Sequence, residues 1–127
     1  MDNAQVEQWV KNGPTPELLE KTESFGNTLQ QQGLTTSQIR QVFSKLKNIE
    51  AKGFAQQRTE FMMLKPYIAY AAGRQQKVVG LQSFKDRISK AIDTVFADGK
   101  ETESVRFNNF CKLFEAILAY HRAHGGK

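Results

Sequence analysis

The 127-residue sequence predicts an all-α protein, a compact bundle of about five main helices with a short helical addition at the N-terminus. Two observations favour this class. Apolar residues recur at intervals of three and four along most of the chain, which is the period of a helix. β-branched residues do not alternate over any stretch long enough to indicate a strand. Only three prolines occur, and two of them fall together in NGPTP at 12–16, where one helix is expected to end and the next to begin.

The N-terminal part of the chain is expected to form two helices. A short one covers 4–12, and a second runs from Pro16 to about Gln32, because Thr15 suits an N-cap and proline is favoured at the first helical position. Gly33 provides the stop. The apolar residues available for burial in these two helices are Val6, Trp9, Val10, Leu18, Leu19, Phe25 and Leu29.

The third helix has the clearest signals. It starts in LTTSQIR at 34–40, where Thr35 and Gln38 have the spacing of a capping box, and Leu34 and Ile39 occupy the hydrophobic-staple positions. Gly53 is the predicted C-terminal stop. The expected inward residues are Ile39, Val42, Phe43, Leu46 and Ile49.

The rest of the chain predicts three further helical segments. One covers about 56–73 and is kinked or briefly broken by Pro66. A loop at 74–81 follows, Ser83 is the expected cap of the next helix, and after the turn ADGKETE the last helix runs over about 103–123. The inward residues are expected to be Phe61, Leu64, Ile68, Ala72, Phe84, Ile88, Ala91, Ile92, Val95, Phe107, Phe110, Cys111, Phe114, Ile117, Leu118 and His121.

Length and composition narrow the class of protein. The chain suits a single helical domain over 1–127, with 1–14 as a peripheral short helix and linker. Its single cysteine excludes an internal disulfide and fits a reducing compartment. The acidic start MDNAQVEQWV does not resemble a signal peptide, and no apolar stretch has transmembrane length. We therefore expect a soluble cytoplasmic protein without a membrane partner.

The net charge of +5 is unevenly distributed. Residues 1–35 contain five acids and two lysines, whereas the remainder contains sixteen basic and eight acidic residues. Such a basic body favours a polyanionic partner, of which nucleic acid is the commonest for a soluble protein. The alternative is an ordinary solvated surface.

Catalytic motifs are weak. The segment around Asp98 and Gly99 lacks the alternating oxygen ligands of a calcium loop, and no glycine-rich phosphate loop is present. His121 and His124 have a spacing that suits a metal but lack a second ligand pair, and His121 falls on the apolar stripe, which favours a packed histidine with one hydrogen-bond partner. Cys111 lies on the buried side of its helix, where thiols are usually inert. The sequence predicts no enzymatic activity, no metal and no cofactor.

Basic residues give a stronger lead. On the third helix Arg40 and Lys47 lie seven residues apart on one stripe, and Lys45 and Lys52 form a second stripe. The seven-residue spacing recurs on the next helix, and a basic cluster surrounds the following loop. Arg58 and Lys65 have this spacing, and the cluster contains Arg74, Lys77, Lys85 and Arg87. Three tyrosines, Tyr67, Tyr70 and Tyr120, are expected to pack with their hydroxyls at the surface, although any of them could stack on a base.

Three segments together resemble one family, the small subunit of the type III-A CRISPR effector, or Csm complex. They are LTTSQIRQVFSKLKNIE at 34–50, MLKPYIAYAAGR at 63–74 and FCKLFEAILAYHRAHGGK at 110–127. Their order, their spacing and the total length agree with the family, and the resemblance covers roughly residues 20–127.

The resemblance implies a non-catalytic helical bundle in a ribonucleoprotein filament. Copies of the chain would stack beside the large subunit and the guide-binding backbone subunits, and would contact the guide RNA–target RNA duplex mainly on the target strand. Five residues match basic positions of the family, and Lys52, Arg58 and Lys77 are added from charge geometry. The five matching residues are Arg40, Lys47, Lys65, Arg74 and Arg122.

Two other hypotheses remain open from the sequence. In the first, the chain is a protein-interaction bundle with incidental positive charge. In the second, it is a metal-dependent enzyme that uses His121 and His124. The RNA-binding hypothesis agrees best with the physics, because a guide of variable sequence requires phosphate contacts rather than base-edge readout.

Overall fold

The computed structural model describes residues 1–127 and contains seven α-helices without any strand. Their bounds are α1 Asn3–Asn12, α2 Pro16–Gln31, α3 Thr36–Lys52, α4 Arg58–Met62, α5 Leu64–Arg74, α6 Val79–Val95 and α7 Lys100–Ala123. Five of these form the body of the bundle, α1 is the N-terminal addition, and α4 is little more than one turn. The predicted all-α bundle of about five main helices is therefore confirmed.

The long C-terminal helix α7 organises the core. It has 24 residues and packs against α1, α2, α3 and α6. Its buried face continues into a cluster of phenylalanine rings from α4, α7 and the segments that follow α3 and α6, with centroid separations between 4.8 and 6.4 Å. The rings belong to Phe54, Phe61, Phe96, Phe107 and Phe110. Because α7 contacts four other helices, it fixes the positions at which they present their outer faces.

The predicted helix starts at Thr15 and Thr35 are confirmed. The hydroxyl of Thr15 accepts a hydrogen bond from the amide of Leu18 at 3.1 Å. At α3 the Thr35 hydroxyl accepts from the Gln38 amide at 3.2 Å, while the Gln38 side chain accepts from the Thr35 amide at 2.9 Å. This reciprocal capping box fixes the residue at which α3 begins, and the buried stripe Ile39, Val42, Leu46 and Ile49 fixes which face of the helix points outward.

The N-terminal helix α1 belongs to the core, although the sequence suggested a peripheral position. Val6, Trp9 and Val10 are at most 1% exposed. The Trp9 indole nitrogen donates to the backbone oxygen of Asn109 at 3.0 Å, and the Asn109 amide nitrogen donates to the backbone oxygen of Val10 at 3.0 Å. These paired hydrogen bonds hold α1 on α7 and satisfy the polar groups that the contact buries.

The start of α6 was predicted wrongly. The loop ends at Val78 rather than at residue 81, and Ser83 is not a cap, since its hydroxyl donates to the side chain of Gln32 at 3.2 Å. The helix begins early because Gly80 lies against the end of α2, where its amide donates to the Gln32 backbone oxygen at 3.0 Å. A long-range contact, which propensity does not report, therefore starts this helix.

Smaller differences concern the remaining boundaries. The predicted break near Pro66 is confirmed at Met63, and Pro66 falls in the first turn of α5, where its missing amide hydrogen has no intrahelical partner. The last helix begins at Lys100, three residues before the predicted start. Leu19, which was expected to be available for burial, is 37% exposed on α2.

Candidate nucleic-acid interface

Helix α3 carries its basic residues on two opposite flanks. Its apolar stripe faces the core and leaves one flank towards α7 and another towards α5. We call Arg40 and Lys47 the α7 flank, since Lys47 bonds to Glu115 of α7. We call Lys45 and Lys52 the α5 flank, since the Lys45 ammonium lies 4.6 Å from the ring of Tyr67 on α5. The two predicted stripes are thus separated by the body of the helix.

The α7 flank is partly neutralised. The Lys47 ammonium donates to Glu115 at 2.9 Å and to Glu50 at 3.0 Å, and these carboxylates, Glu115 foremost, raise the pKa of Lys47 well above its usual range. Arg40, two turns earlier, is exposed and has no carboxylate within 4.0 Å. A phosphate approaching this flank therefore meets one free guanidinium and one lysine that already has two anionic partners.

Arg58 has a structural contact. Its guanidinium donates to both oxygens of Glu103 on α7, at 2.7 and 2.9 Å, and the Glu103 side chain is only 6% exposed. The hydrogen bond from Arg58 holds the pKa of Glu103 below its ordinary value of 4.5. Since α4 is so short, this bidentate pair is one of the contacts that attach it to α7. Lys65 is also paired, to Asp93 at 2.6 Å on the surface.

The other predicted cations have no carboxylate within 4.0 Å. Lys52 ends α3, Lys77 lies in the loop between α5 and α6, and both are exposed. The Arg74 guanidinium lies 5.7 Å from the ring of Tyr70, and Arg122 donates to the backbone oxygen of Gly126 at 2.9 Å. Of the eight predicted residues, three are thus ion-paired and five are exposed without a carboxylate partner.

Two residues near these cations were undervalued from the sequence. Lys45 belongs to a predicted basic stripe but not to the eight predicted site residues, and Tyr70, for which the sequence predicts packing, is 66% exposed. Tyr67 and Tyr120 are partly buried, as expected. Helical spacing indicates the exposure of Tyr70, because the inward residues Ile68 and Ala72 leave position 70 on the opposite side of the helix.

The candidate catalytic groups are engaged or buried. His121 is fully buried with its Nε2 2.6 Å from the backbone oxygen of Leu34, which confirms the packed histidine, and His124 lies 3.0 Å from Glu23. Burial raises the pKa of the Cys111 thiol to about 12, so the thiol stays protonated at neutral pH. No three or more His, Cys, Asp or Glu side chains form a group that suits a metal ion.

Fold and surface together define a class of protein. It is a small helical bundle with several exposed cations that have no carboxylate partner, and none of its helices has the length and apolar character of a membrane span. Residues 13–127 match the family model described as Csm2 Type III-A. The chain belongs to that family and is a structural subunit of a type III-A CRISPR effector complex. The sequence resemblance is confirmed, and the match starts at residue 13 rather than near residue 20.

Individual relatives agree with this assignment. The chain is 34% identical over 115 residues to the CRISPR system Cms protein Csm2 of Streptococcus thermophilus, covering 87% of this chain and 84% of that protein. It is 32% identical over 98 residues to the protein of the same name from Enterococcus italicus, covering 69% and 66% respectively. No solved structure matches the chain significantly.

Proposed function

We propose that the protein is a non-catalytic RNA-binding subunit of its effector complex. It contacts the guide RNA–target RNA duplex, mainly the target strand, through the phosphate backbone and without sequence specificity. The observation that carries the proposal is the set of five exposed predicted cations that have no carboxylate partner. They are Arg40, Lys52, Arg74, Lys77 and Arg122. Such cations bind phosphates by releasing counterions, which requires no particular base.

Protein contacts complete the proposed role. The chain stacks along the filament with copies of itself, beside the large subunit and the guide-binding backbone subunits. On α2, Glu17, Glu20 and Glu23 are exposed on the acidic N-terminal third, whereas the five predicted cations without a carboxylate partner all lie in the remainder of the chain. This separation of charge suits a repeated head-to-tail contact in which one copy's acidic surface faces a basic neighbour.

The test is a salt titration of RNA binding. The purified chain should bind guide–target duplexes of unrelated sequence with similar affinity, and the affinity should fall steeply with salt. Charge reversal of Arg40 and Lys47 together should flatten the logarithmic salt slope by at least about 0.9, the contribution of one phosphate contact in a duplex, because Lys47 already has two anionic partners. Reversal of Lys21 and Lys100, which are exposed and unpaired but lie outside the predicted set, is the control. An equal change of slope in both variants would contradict the assignment of Arg40 and Lys47.

A second candidate is an assembly bundle whose positive charge is incidental. The ion pairs of Lys47, Arg58 and Lys65 favour it, because these three cations already have partners within the chain. This candidate predicts assembly with the other effector subunits and no lysine–RNA crosslink in the assembled complex. A crosslink from Lys52 or Lys77 would exclude it.

A further inference from the structure

A groove separates α3 from α4 and α5. It has a volume of about 800 Å³, opens to solvent, and takes Lys45 and Lys52 from one wall and Tyr67 and Tyr70 from the other. We call it the α3–α5 groove. Its α4 end is held in place by the Arg58–Glu103 pair and by Phe61, which is fully buried in the aromatic cluster. The groove is therefore a feature of the folded chain rather than a gap at a loose end.

The charge of the groove suits an anion. Lys45 and Lys52 are both exposed and have no carboxylate within 4.0 Å, in contrast to Lys47 on the other flank. They are seven residues apart, which is about 10.5 Å along the helix axis. Glu60 is the single acidic residue in the lining. Two free ammonium groups against one carboxylate favour a ligand that carries more than one negative charge.

The aromatic residues of the groove suit an unpaired base. Tyr70 is 66% exposed, and the Arg74 guanidinium lies 5.7 Å from its ring centroid. An exposed tyrosine ring with one guanidinium near it offers a flat surface for stacking, while the lysines in the lining can take the phosphates. The side-chain amides of Asn48, Gln56 and Gln57 supply donors and acceptors nearby. Cations together with an exposed aromatic ring are the combination with which many proteins bind single-stranded nucleic acid.

We propose that the α3–α5 groove binds unpaired RNA, with a base stacked on Tyr70 and the flanking phosphates on Lys45 and Lys52. The inference rests on the proposed function in that it takes RNA as the ligand, but it assigns a different substrate form to a different surface. Bases inside a duplex stack on each other and are not accessible to a tyrosine, so the groove selects single-stranded RNA or an unpaired nucleotide. A peptide segment of a neighbouring subunit is the competing occupant.

The experiment compares a labelled oligouridine with an abasic RNA of the same length and charge, using the full chain. The parent protein should bind the oligouridine at least about five-fold more tightly, as expected for one stacked base. Tyr70→Ala should remove this preference without changing the salt slope, and Tyr70→Phe should retain it. Lys45→Gln with Lys52→Gln should flatten the slope for both RNAs by about 1.4, at about 0.7 per single-strand phosphate.

Equal affinity for the two RNAs, or an unchanged preference in a folded Tyr70→Ala protein, would overturn the inference. So would a Tyr70→Ala protein that keeps its RNA preference but fails to join the other effector subunits, because the groove would then hold a peptide. A duplex arm separates this inference from the proposed function. Tyr70-dependent oligouridine binding without duplex binding supports the groove and contradicts the proposed function, and duplex binding without the Tyr70 effect does the reverse.

Discussion

Two helix–helix contacts of this bundle are built in opposite ways. Where α2 crosses α7, Gly26 lets the backbones approach so closely that an added Cβ would lie 2.8 Å from the Cβ of Tyr120 and 2.9 Å from the amide nitrogen of His121. Where α3 runs beside α4 and α5, polar side chains leave a groove of about 800 Å³. The first contact fixes the fold, whereas the second leaves cations and an aromatic ring accessible. Substitutions at the first should change stability, and substitutions at the second should change binding.

The largest stability effect is expected from Gly26→Ala. The new methyl group meets the backbone of α7 rather than the end of a flexible side chain, so the helices must separate. We expect the free energy of unfolding to fall by about 2 kcal/mol, a typical cost of overpacking. Denaturant unfolding followed by circular dichroism measures it.

Gly73→Ala is the matched control for this substitution. Gly73 lies in α5, and an added Cβ would have no neighbour within 4 Å. Because alanine is the better helix former, this variant should gain about 0.5–1 kcal/mol. If both variants changed stability in the same direction, the proposed difference between the two contacts would be wrong.

A smaller loss of stability is expected from Glu103→Gln, which removes one of the contacts that hold the α4 end of the groove in place. The substitution removes the carboxylate that accepts two hydrogen bonds from Arg58. Since the folded-state pKa of Glu103 lies below 4.5, its contribution is fully present above about pH 4.5 and is lost as the pH falls through the folded pKa. The Tm difference between parent and variant should therefore be largest at neutral pH and shrink in acid.

Glu20→Gln controls for the general effect of removing a carboxylate, since Glu20 is exposed on α2 and has no ion pair. Its Tm should follow the parent at every pH. A Tm difference for Glu103→Gln that stayed constant down to the acid transition would mean that the ion pair is not the source of the stability.

Thr35→Ala should lower the free energy of unfolding by about 1 kcal/mol, because it removes one half of the capping box of α3. RNA affinity should not change while the protein is folded, since the hydroxyl has a purely local role. Thr35→Ser, which keeps the hydroxyl, should restore most of the stability. A folded Thr35→Ala protein without any RNA binding would show that the start of α3 contributes to the interface directly.

Local signals in the sequence predicted much of the closely packed part of the bundle. The capping box at Thr35, the proline start of α2 and the apolar stripes depend on residues only a few positions apart, and the structure confirms them. The start of α6 escaped prediction because Gly80 meets the end of α2, some fifty positions earlier in the chain. Propensity reports the intrinsic preference of a segment and not the neighbour that it will contact.

The site was less predictable than the fold for the same reason. Helical spacing correctly separated the two basic stripes of α3, but it could not show that Glu115 reaches Lys47 from 68 positions away or that Glu103 holds Arg58. Charge spacing indicates which cations share a face, whereas their freedom to bind a phosphate depends on distant carboxylates. The exposure of Tyr70 could be predicted from its helical position, since the buried residues of α5 lie on the opposite side.

The smallest effect on stability is expected from Glu115→Gln on the neutralised flank. Both members of the Lys47–Glu115 pair are about half exposed, so the unfolding free energy should stay within measurement error. If Lys47 contacts RNA, removing its closer carboxylate frees the ammonium for a phosphate. Duplex affinity should then rise by about two- to five-fold, and the salt slope should steepen by up to about 0.9.

Glu20→Gln makes the same change of net charge on the acidic α2 and therefore separates a local from a general effect. A gain confined to Glu115→Gln would place Lys47 at the RNA and show that the α7 flank is restrained by its own carboxylates. An equal gain in both variants would leave Arg40 as the only cation of that flank able to bind RNA. The difference between the flanks of α3 would then be one of availability, with Lys47 occupied by its carboxylates while Lys45 and Lys52 have no carboxylate partner.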